Sequence, residues 1–349
     1  MFNKFLSKFS HNIGIDLGTA NTLVYTKEDG IVINEPTVVA INKKTDQVLA
    51  VGDEAKDMVG KTPPHIEVTY PLDRGIISDY EVAEKMLQYF INKVTEDKGG
   101  FTTRPKVVTC VPLSATEVEI KAVEDAAKTA GAKSIDIVQE SMAAAIGARM
   151  PINKPIGSMI VDIGGGNTEA AVISLDGVVT WKSTTTGGDE LNNNITQYAR
   201  DVFNLHIGES YAEQIKLKVG SAKELSEDLE YPMRGRDVIT GLPKEIMIND
   251  SHIREATKDS LNDIIDHVKM TLEMTPPELT ADIHERGILL TGGGALLRGL
   301  SDVISDSVDV PVRLADDPLT SVARGTGTLL EEGDLLEEVS IPISEERPE

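Results

Sequence analysis

The chain has 349 residues, 40% of them hydrophobic, with 57 acidic side chains against 34 basic ones and a formal net charge of −23. That length accommodates two domains with real cores, and the acidic excess argues against nucleic acid as the main partner, because phosphates are repelled except at a sizeable basic patch, which is not evident here. One cysteine, Cys110, excludes an internal disulfide and fits a reducing compartment, and the lack of any run of about 18 apolar residues excludes a spanning helix.

The first residues read MFNKFLSKFS. Phe2, Phe5, Leu6 and Phe9 fall at i, i+3, i+4 and i+7 with Lys4 and Lys8 between them, an aromatic stripe with a basic edge on a short helix. The lysines interrupt any apolar core, so this is not a secretory signal. An apolar strand pattern follows at Ile13, Ile15 and Leu17, then Thr22–Tyr25 after a Gly-Thr-Ala-Asn turn, then Ile31–Ile33 after Asp29-Gly30, together a β-meander. Residues 43–75 are polar and turn-rich and read as a small insertion. A helix is predicted over Ser78–Lys93, capped by Ser78 with Glu81 three residues on. Lys106–Val111 reads as a buried strand. Ser114–Ala130 reads as a helix capped by Ser114 with Glu117, Ser134–Val138 as a strand, and Glu140–Arg149 as a small-residue helix.

The pattern then restarts. IGIDLGTANT at 13–22 aligns with MIVDIGGGNT at 159–168, matching Asp16 with Asp162, Gly18 with Gly164, Asn21 with Asn167 and Thr22 with Thr168 at a constant offset of 146 residues. An internal repeat of this kind decides architecture. A polar insertion spans about 184–245, a long helix Ser251–Met274 stops at Pro276-Pro277, and the strand Ile288–Leu290 runs into Thr291-Gly-Gly-Gly. A helix at Arg324–Glu331 returns to the first half, and Glu331–Glu349 reads as an acidic, frayed tail. Two copies of strand, Asp, Gly turn, strand, each followed by helices, imply two similar α/β domains with a ligand cleft between them.

Glycine turns bring backbone N–H donors close to a bound group and suit an anion. Asp16 and Asp162 would repel phosphate unless a cation intervened, which suggests Mg²⁺ with its waters. The third element, 291–295, offers bare backbone to a base or ribose. GxxxxGK[ST] is absent, so this is not a P-loop protein.

The segments IGIDLGTANT, MIVDIGGGNT and ILLTGGGALL resemble the two phosphate motifs and the adenosine motif of the actin, heat-shock chaperone and sugar-kinase superfamily. IGIDLGTANTLVY, NEPTVVAI (34–41), YPLDRGII (70–77), VPLSATEVE (111–119), ESMAAAIG (140–147) and STTTGGDELN (183–192) narrow this to the MreB family of bacterial actins. The resemblance implies a duplicated ribonuclease-H-like ATPase fold. The expected division is an N-terminal membrane helix at 1–12, domain I at 13–150 plus 315–335 with a small insertion at about 34–75, domain II at 151–314, and a tail at 336–349. It also implies ATP or ADP with Mg²⁺. Thr19, Ala20 and Asn21 would bind the first phosphate region, and Gly164, Gly165, Gly166 and Asn167 the second. Glu213, Gln214, Ile215 and Lys216 would lie at the ribose and base, Gly292, Gly293, Gly294, Ala295 and Leu296 at the adenosine, and Asp16 and Asp162 at the metal. Glu140 would orient the attacking water, with Asp189 a second catalytic candidate. Each also has a plain reading: Glu140 as a helix N-terminal acid, favourable by about 0.3–1 kcal/mol on its own, and Asp189 as an N-cap.

The same resemblance implies filaments of paired protofilaments on the inner face of the cytoplasmic membrane. RodZ, MreC and MreD would be partners, and the filaments would organise cell-wall synthesis and rod shape. It explains the first residues: Phe2, Phe5, Leu6 and Phe9 would enter the acyl boundary, each lysine would add on the order of 1 kcal/mol at anionic headgroups, and a polymer would multiply weak anchors by roughly 10²–10⁴. The plain reading of residues 2–9 is that they pack on the protein's own surface or are disordered, and the loop Lys98–Phe101 is a weaker second membrane contact. A chaperone-type ATPase or a small-molecule kinase shares the motifs. Neither accounts for the amphipathic start, and the division protein FtsA carries its membrane helix at the other terminus.

Overall fold

A computed structural model describes residues 12–96 and 104–342. The candidate membrane residues Phe2, Phe5, Leu6 and Phe9, the loop 98–101 and residues 343–349 lie outside the described residues. The described residues divide into two compact units, one within Met1–Lys154, Leu175–Gly177 and Thr320–Glu349, the other within Pro155–Ser174 and Val178–Leu319.

The first unit begins with the meander β1 (Ile13–Leu17), β2 (Asn21–Thr26) and β3 (Gly30–Pro36). Its insertion follows: β4 (Val39–Asn42), β5 (Gln47–Val51), the single turn α1 (Asp53–Lys56), β6 (Ile66–Thr69), and the short pair β7 (Leu72–Asp73) and β8 (Ile76–Ile77). Strands β4, β5 and β6 form their own sheet around Val38, Ala40 and Ala55. Then come α2 (Tyr80–Glu96), β9 (Lys106–Val111), α3 (Glu117–Thr129), β10 (Ser134–Gln139) and α4 (Glu140–Gly147). The main sheet has the order β10-β9-β1-β2-β3. Every residue of β1 is buried, as befits a central strand covered on both faces. Helix α2 lays Val82, Met86, Leu87 and Phe90 into this core at helical spacing.

The second unit repeats the plan. β11 (Ser158–Ile163), β12 (Thr168–Ser174) and β13 (Gly177–Thr184) form its meander. An insertion of α5 (Gly188–Phe203), β14 (Leu205–His206), α6 (Glu209–Val219), β15 (Glu230–Asp237) and β16 (Pro243–Asn249) follows, with its own core around Ile195, Ile215, Met233 and Ile253. After α7 (Asp250–Met274) and α8 (Pro277–Arg286), β17 (Ile288–Thr291), α9 (Leu300–Val308) and β18 (Val312–Leu314) complete a sheet ordered β13-β12-β11-β17-β18. In both sheets the first two strands are antiparallel and the remaining neighbours of the first strand are parallel to it. The chain ends in the first unit with α10 (Ser321–Glu331) and α11 (Gly333–Val339).

Several expected boundaries shift for identifiable reasons. Helix α2 starts later, with the Asp79 carboxylate rather than Ser78 accepting from the Val82 N–H at 3.2 Å. Helix α3 is capped by Thr116 and Glu119, not Ser114 and Glu117. Two overlapping S/T-x-x-E boxes compete there, and the Thr116 box is the one with both reciprocal bonds. Pro276-Pro277 ends α7 but also starts α8, with proline in its first turn where no N–H is needed. The expected frayed tail is ordered through 342: α11 buries Leu336, and the Ile341 N–H donates to the Ile137 carbonyl of β10 at 2.8 Å.

Candidate functional site

In the first unit, β1 carries Asp16 one residue from its end, paired with Leu23 of β2. The side chain is buried, 8% exposed. Burial raises its carboxyl well above the ordinary aspartate value, and the negative charge of Glu140 pushes the same way. Glu140 is the first residue of α4 and half-buried. That helix is built from small residues because α10 lies hard against it: a Cβ at Gly147 would meet the Ser321 carbonyl, and one at Gly325 the Ala143 carbonyl. The glycines and alanines predicted as a small-residue helix therefore seat Glu140 beside Asp16.

The turn after β1 is pinned by hydroxyls. Thr37 Oγ1 donates to the Gly18 carbonyl at 2.7 Å and lies 2.9 Å from Thr22 Oγ1, while its N–H donates to the Ala20 carbonyl at 3.0 Å. Thr19 Oγ1 accepts from the Gly75 N–H at 2.7 Å. Thr19 and Ala20 are half-buried and Asn21 is exposed.

In the second unit Asp162 occupies the matching place in β11, paired with Glu169 and 6% exposed. Gly164 N–H closes the turn onto the Asn167 carbonyl at 2.9 Å. The start of α5 braces it: Gly188 N–H donates to the Gly164 carbonyl at 2.9 Å and Asp189 N–H to the Gly165 carbonyl at 2.8 Å. Gly187 is required there because a Cβ would crowd the Gly165 carbonyl. Gly187, not Asp189, is the N-cap of α5, so Asp189 sits inside the first turn. Thr168 Oγ1 donates to the Thr186 carbonyl at 2.7 Å, and Thr184 and Thr186 donate their hydroxyls to Asp263 Oδ2 at 2.6 and 2.7 Å. Burial opposes ionisation of Asp263, but these two hydroxyls outweigh it and hold the carboxyl below its ordinary range.

The remaining expected ligand residues separate into two groups. Lys216 Nζ donates to the Gly188 carbonyl at 2.7 Å, tying α6 to the brace of the second turn. Glu213 is half-buried and Gln214 exposed. Ile215 is fully buried in the insertion core, so its side chain packs there instead of facing a ligand. The Thr-Gly-Gly-Gly segment leaves β17 beside β11. Gly292, at φ +81°, would carry a Cβ into Asp162 Oδ1 and the Ile163 carbonyl, and Gly294 would carry one into Ile163. These glycines thus seat the third motif against Asp162 of the second. Ala295 is buried in the sheet core, whereas Gly293 and Leu296 are exposed. Arg298, absent from the expected set, donates to the Leu217 and Gly220 carbonyls at 3.1–3.2 Å and so caps the end of α6.

Within this second unit the turn 164–167, the start of α5 and α6 are therefore joined by named bonds, and the third motif packs against the same turn's strand. Thr37, Gly75, Thr186, Asp263 and Arg298 complete the scaffold. Their contribution is long-range and polar; the Thr-Thr-Thr run at 184–186 is the one local cue among them.

The divalent cation fits the donor chemistry. Asp16 is buried near the negative charge of Glu140, and both disfavour charge on its carboxyl, a penalty that a bound cation would relieve.

The family model described as MreB/Mbl protein matches residues 10–338. The chain is 47% identical over 335 residues to the cell shape-determining protein MreB of Escherichia coli (strain K12), covering 95% of this chain and 96% of the relative. It is 46% identical over 328 residues to the cell shape-determining protein Mbl of Bacillus cereus (strain ATCC 10987 / NRS 248), covering 94% and 98%. Among solved structures, MreB5 of Spiroplasma citri bound to ADP superposes with a TM-score of 0.89 at 36% identity, over 94% of this chain and 98% of that one. With an actin-like α/β fold and these relatives over nearly its whole length, the chain belongs to the MreB/Mbl family.

Proposed function

We propose that this protein is a cytoskeletal ATPase that assembles into membrane-associated filaments and governs cell shape by organising cell-wall synthesis. The observation that carries the reading is the pair of equivalent glycine turns, each beginning two residues beyond a buried aspartate and each tied to the segment after the third strand, by the Thr37 hydroxyl on the Gly18 carbonyl and by the Thr168 hydroxyl on the Thr186 carbonyl. The names of the relatives, cell shape-determining in both cases, and the ADP of the Spiroplasma citri structure support it.

In this reading the turns 18–21 and 164–167 take phosphate oxygens of ATP or ADP on their N–H groups, and 292–296 with Glu213 and Lys216 take the adenosine. Asp16 and Asp162 hold Mg²⁺ and its waters, and the bound ion would neutralise phosphate charge. Glu140, fixed by α4, orients the attacking water, since phosphoryl transfer needs mainly positioning and charge stabilisation. Hydrolysis sets filament turnover. Phe2, Phe5, Leu6 and Phe9 anchor the filament to the inner face of the cytoplasmic membrane, where RodZ, MreC and MreD are the expected partners. No described helix is long and apolar enough to cross a membrane.

The test is sedimentation of the purified chain with Mg-ATP, with and without anionic liposomes. The reading predicts pelleted polymer with nucleotide, and co-sedimentation with liposomes that Phe5→Glu abolishes. Polymer without liposome binding would remove the anchor, and no polymer at all would remove the cytoskeletal role.

A further inference from the structure

The first unit holds a cavity of about 820 Å³ that the nucleotide chemistry does not use. It lies where α4 and α10 end and α11 begins, closed by the turn at Asp176. Met150 and Leu335, both half-buried, with the edges of the buried Ile146 and Ile152, supply a small apolar wall. Five carboxylates line it against one guanidinium, Arg149. Glu332, Asp334 and Glu338 are exposed. Asp176, held at φ +58°, turns a buried Oδ1 with no hydrogen-bond partner among the described residues. Both helices that end here lack a basic residue in their last turn, so the negative ends of their dipoles add to the same field. Such a groove suits an apolar segment with cationic edges.

The chain supplies one. Residues 1–11 contain three phenylalanines and a leucine, carry Lys4 and Lys8, and contain no acidic residue in a protein of net charge −23. They join the described chain beside the groove: Ile13 pairs with Thr26, and the next residue, Lys27, forms an ion pair at 3.4 Å with Glu331 of the groove wall. Eleven residues reach at most about 35–40 Å when extended, ample for a wall that begins at the adjacent ion pair.

We infer that residues 1–11 dock into this groove as an intramolecular ligand, with the aromatic stripe on the apolar wall and the lysines among the carboxylates. The inference builds on the proposed membrane anchor: the stripe that enters a bilayer is the stripe that the groove shelters, so docking and membrane insertion exclude one another. Apparent membrane affinity is then the intrinsic affinity multiplied by the undocked fraction. A chain docked nine-tenths of the time binds vesicles about tenfold more weakly than an undocked one.

The test uses the full chain, free of nucleotide and lipid and dilute enough to be monomeric. Cysteines are placed by Phe5→Cys and Leu335→Cys in a Cys110→Ala background, and oxidation is followed by peptide mass mapping. The expected result is a disulfide within one chain, with no such product when the second cysteine is Leu242→Cys, an exposed site of the second unit. In a separate experiment, Glu332→Gln, Asp334→Asn and Glu338→Gln together should tighten binding to phosphatidylglycerol-containing vesicles about tenfold, and have no effect in a chain lacking residues 1–11. Vesicle binding with no 5–335 disulfide, or with a disulfide only between chains, overturns docking while leaving the anchor intact. A 5–335 disulfide without vesicle binding supports docking and removes the anchor.

Discussion

In the first unit, the turn after β1 is held through two hydroxyls: that of Thr37, after β3, donates to the Gly18 carbonyl, and that of Thr19 in the turn accepts from the Gly75 N–H near the end of the small insertion. In the second, the turn after β11 is held by the backbone of a long helix, through the N–H groups of Gly188 and Asp189 at the start of α5. The strand order and pairing directions of the two sheets are the same, and in both the first residues after the third strand reach back to the turn. Each insertion is thus mechanically joined to its own turn. The first is joined through hydroxyls that a substitution can remove singly, and the second through main-chain donors fixed by a helix of 16 residues. Each side carries its own catalytic candidate: Glu140, whose charge helps raise the Asp16 carboxyl, and Asp189, whose N–H donates to the Gly165 carbonyl in the turn after Asp162.

The largest expected effect tests the first unit's candidate. Glu140→Ala should slow phosphate release by about 10²–10³-fold while ATP still binds. A normal single-turnover rate would leave Glu140 only its helix-terminal role. Next come the paired aspartates. Asp16→Ala and Asp162→Ala should each weaken Mg-ADP binding by about 10–100-fold, measured by calorimetry, and an unaltered affinity for either would displace that unit's turn from the site.

The pH response separates the two units further. The folded Asp16 carboxyl sits above the ordinary value of 3.8, through burial first and Glu140 second. Protonated Asp16 therefore favours the folded, ligand-free protein. That contribution is complete below 3.8 and is lost as pH rises through the raised folded value. Urea denaturation at a series of pH values should show this decline in the wild-type chain and a flatter profile in Asp16→Asn. Parallel profiles would contradict the burial argument.

The smallest effects concern the braces. Thr37→Val leaves the Gly18 carbonyl without its hydroxyl donor in a buried setting and should cost about 1–3 kcal/mol. Thr186→Val removes one of two hydroxyls from Asp263, whose side chain is 41% exposed, and should cost about 1 kcal/mol or less. Equal losses in urea melts would mean that the two braces are equivalent after all.

The repeat was legible because its determinants are local. Asp, Gly and Thr at fixed spacing announce a strand and a tight turn without reference to the rest of the chain, and they led to the fold and the family. The braces were not legible. Thr37 to Gly18 and Thr186 to Asp263 are bonds across 19 and 77 residues, and nothing adjacent to either threonine marks its partner. The packing duty of Gly292 was hidden for the same reason. Three glycines suggest room for a ligand, whereas packing shows that at least Gly292 and Gly294 are small because β11 lies against them. Ile215 and Ala295 illustrate the converse: they sit inside segments that carry ligand candidates, yet helical spacing and packing turn both into the core. Helix α11 was hidden by acidic composition, since one buried leucine and a bridge to β10 suffice to order it.

The most direct test of the central claim is electron microscopy of the purified full chain with Mg-ATP on an anionic lipid monolayer. The account predicts filaments lying on the lipid and none without nucleotide. A bare monolayer, with nucleotide binding verified in the same preparation, would contradict it and leave a nucleotide-binding protein without a filament.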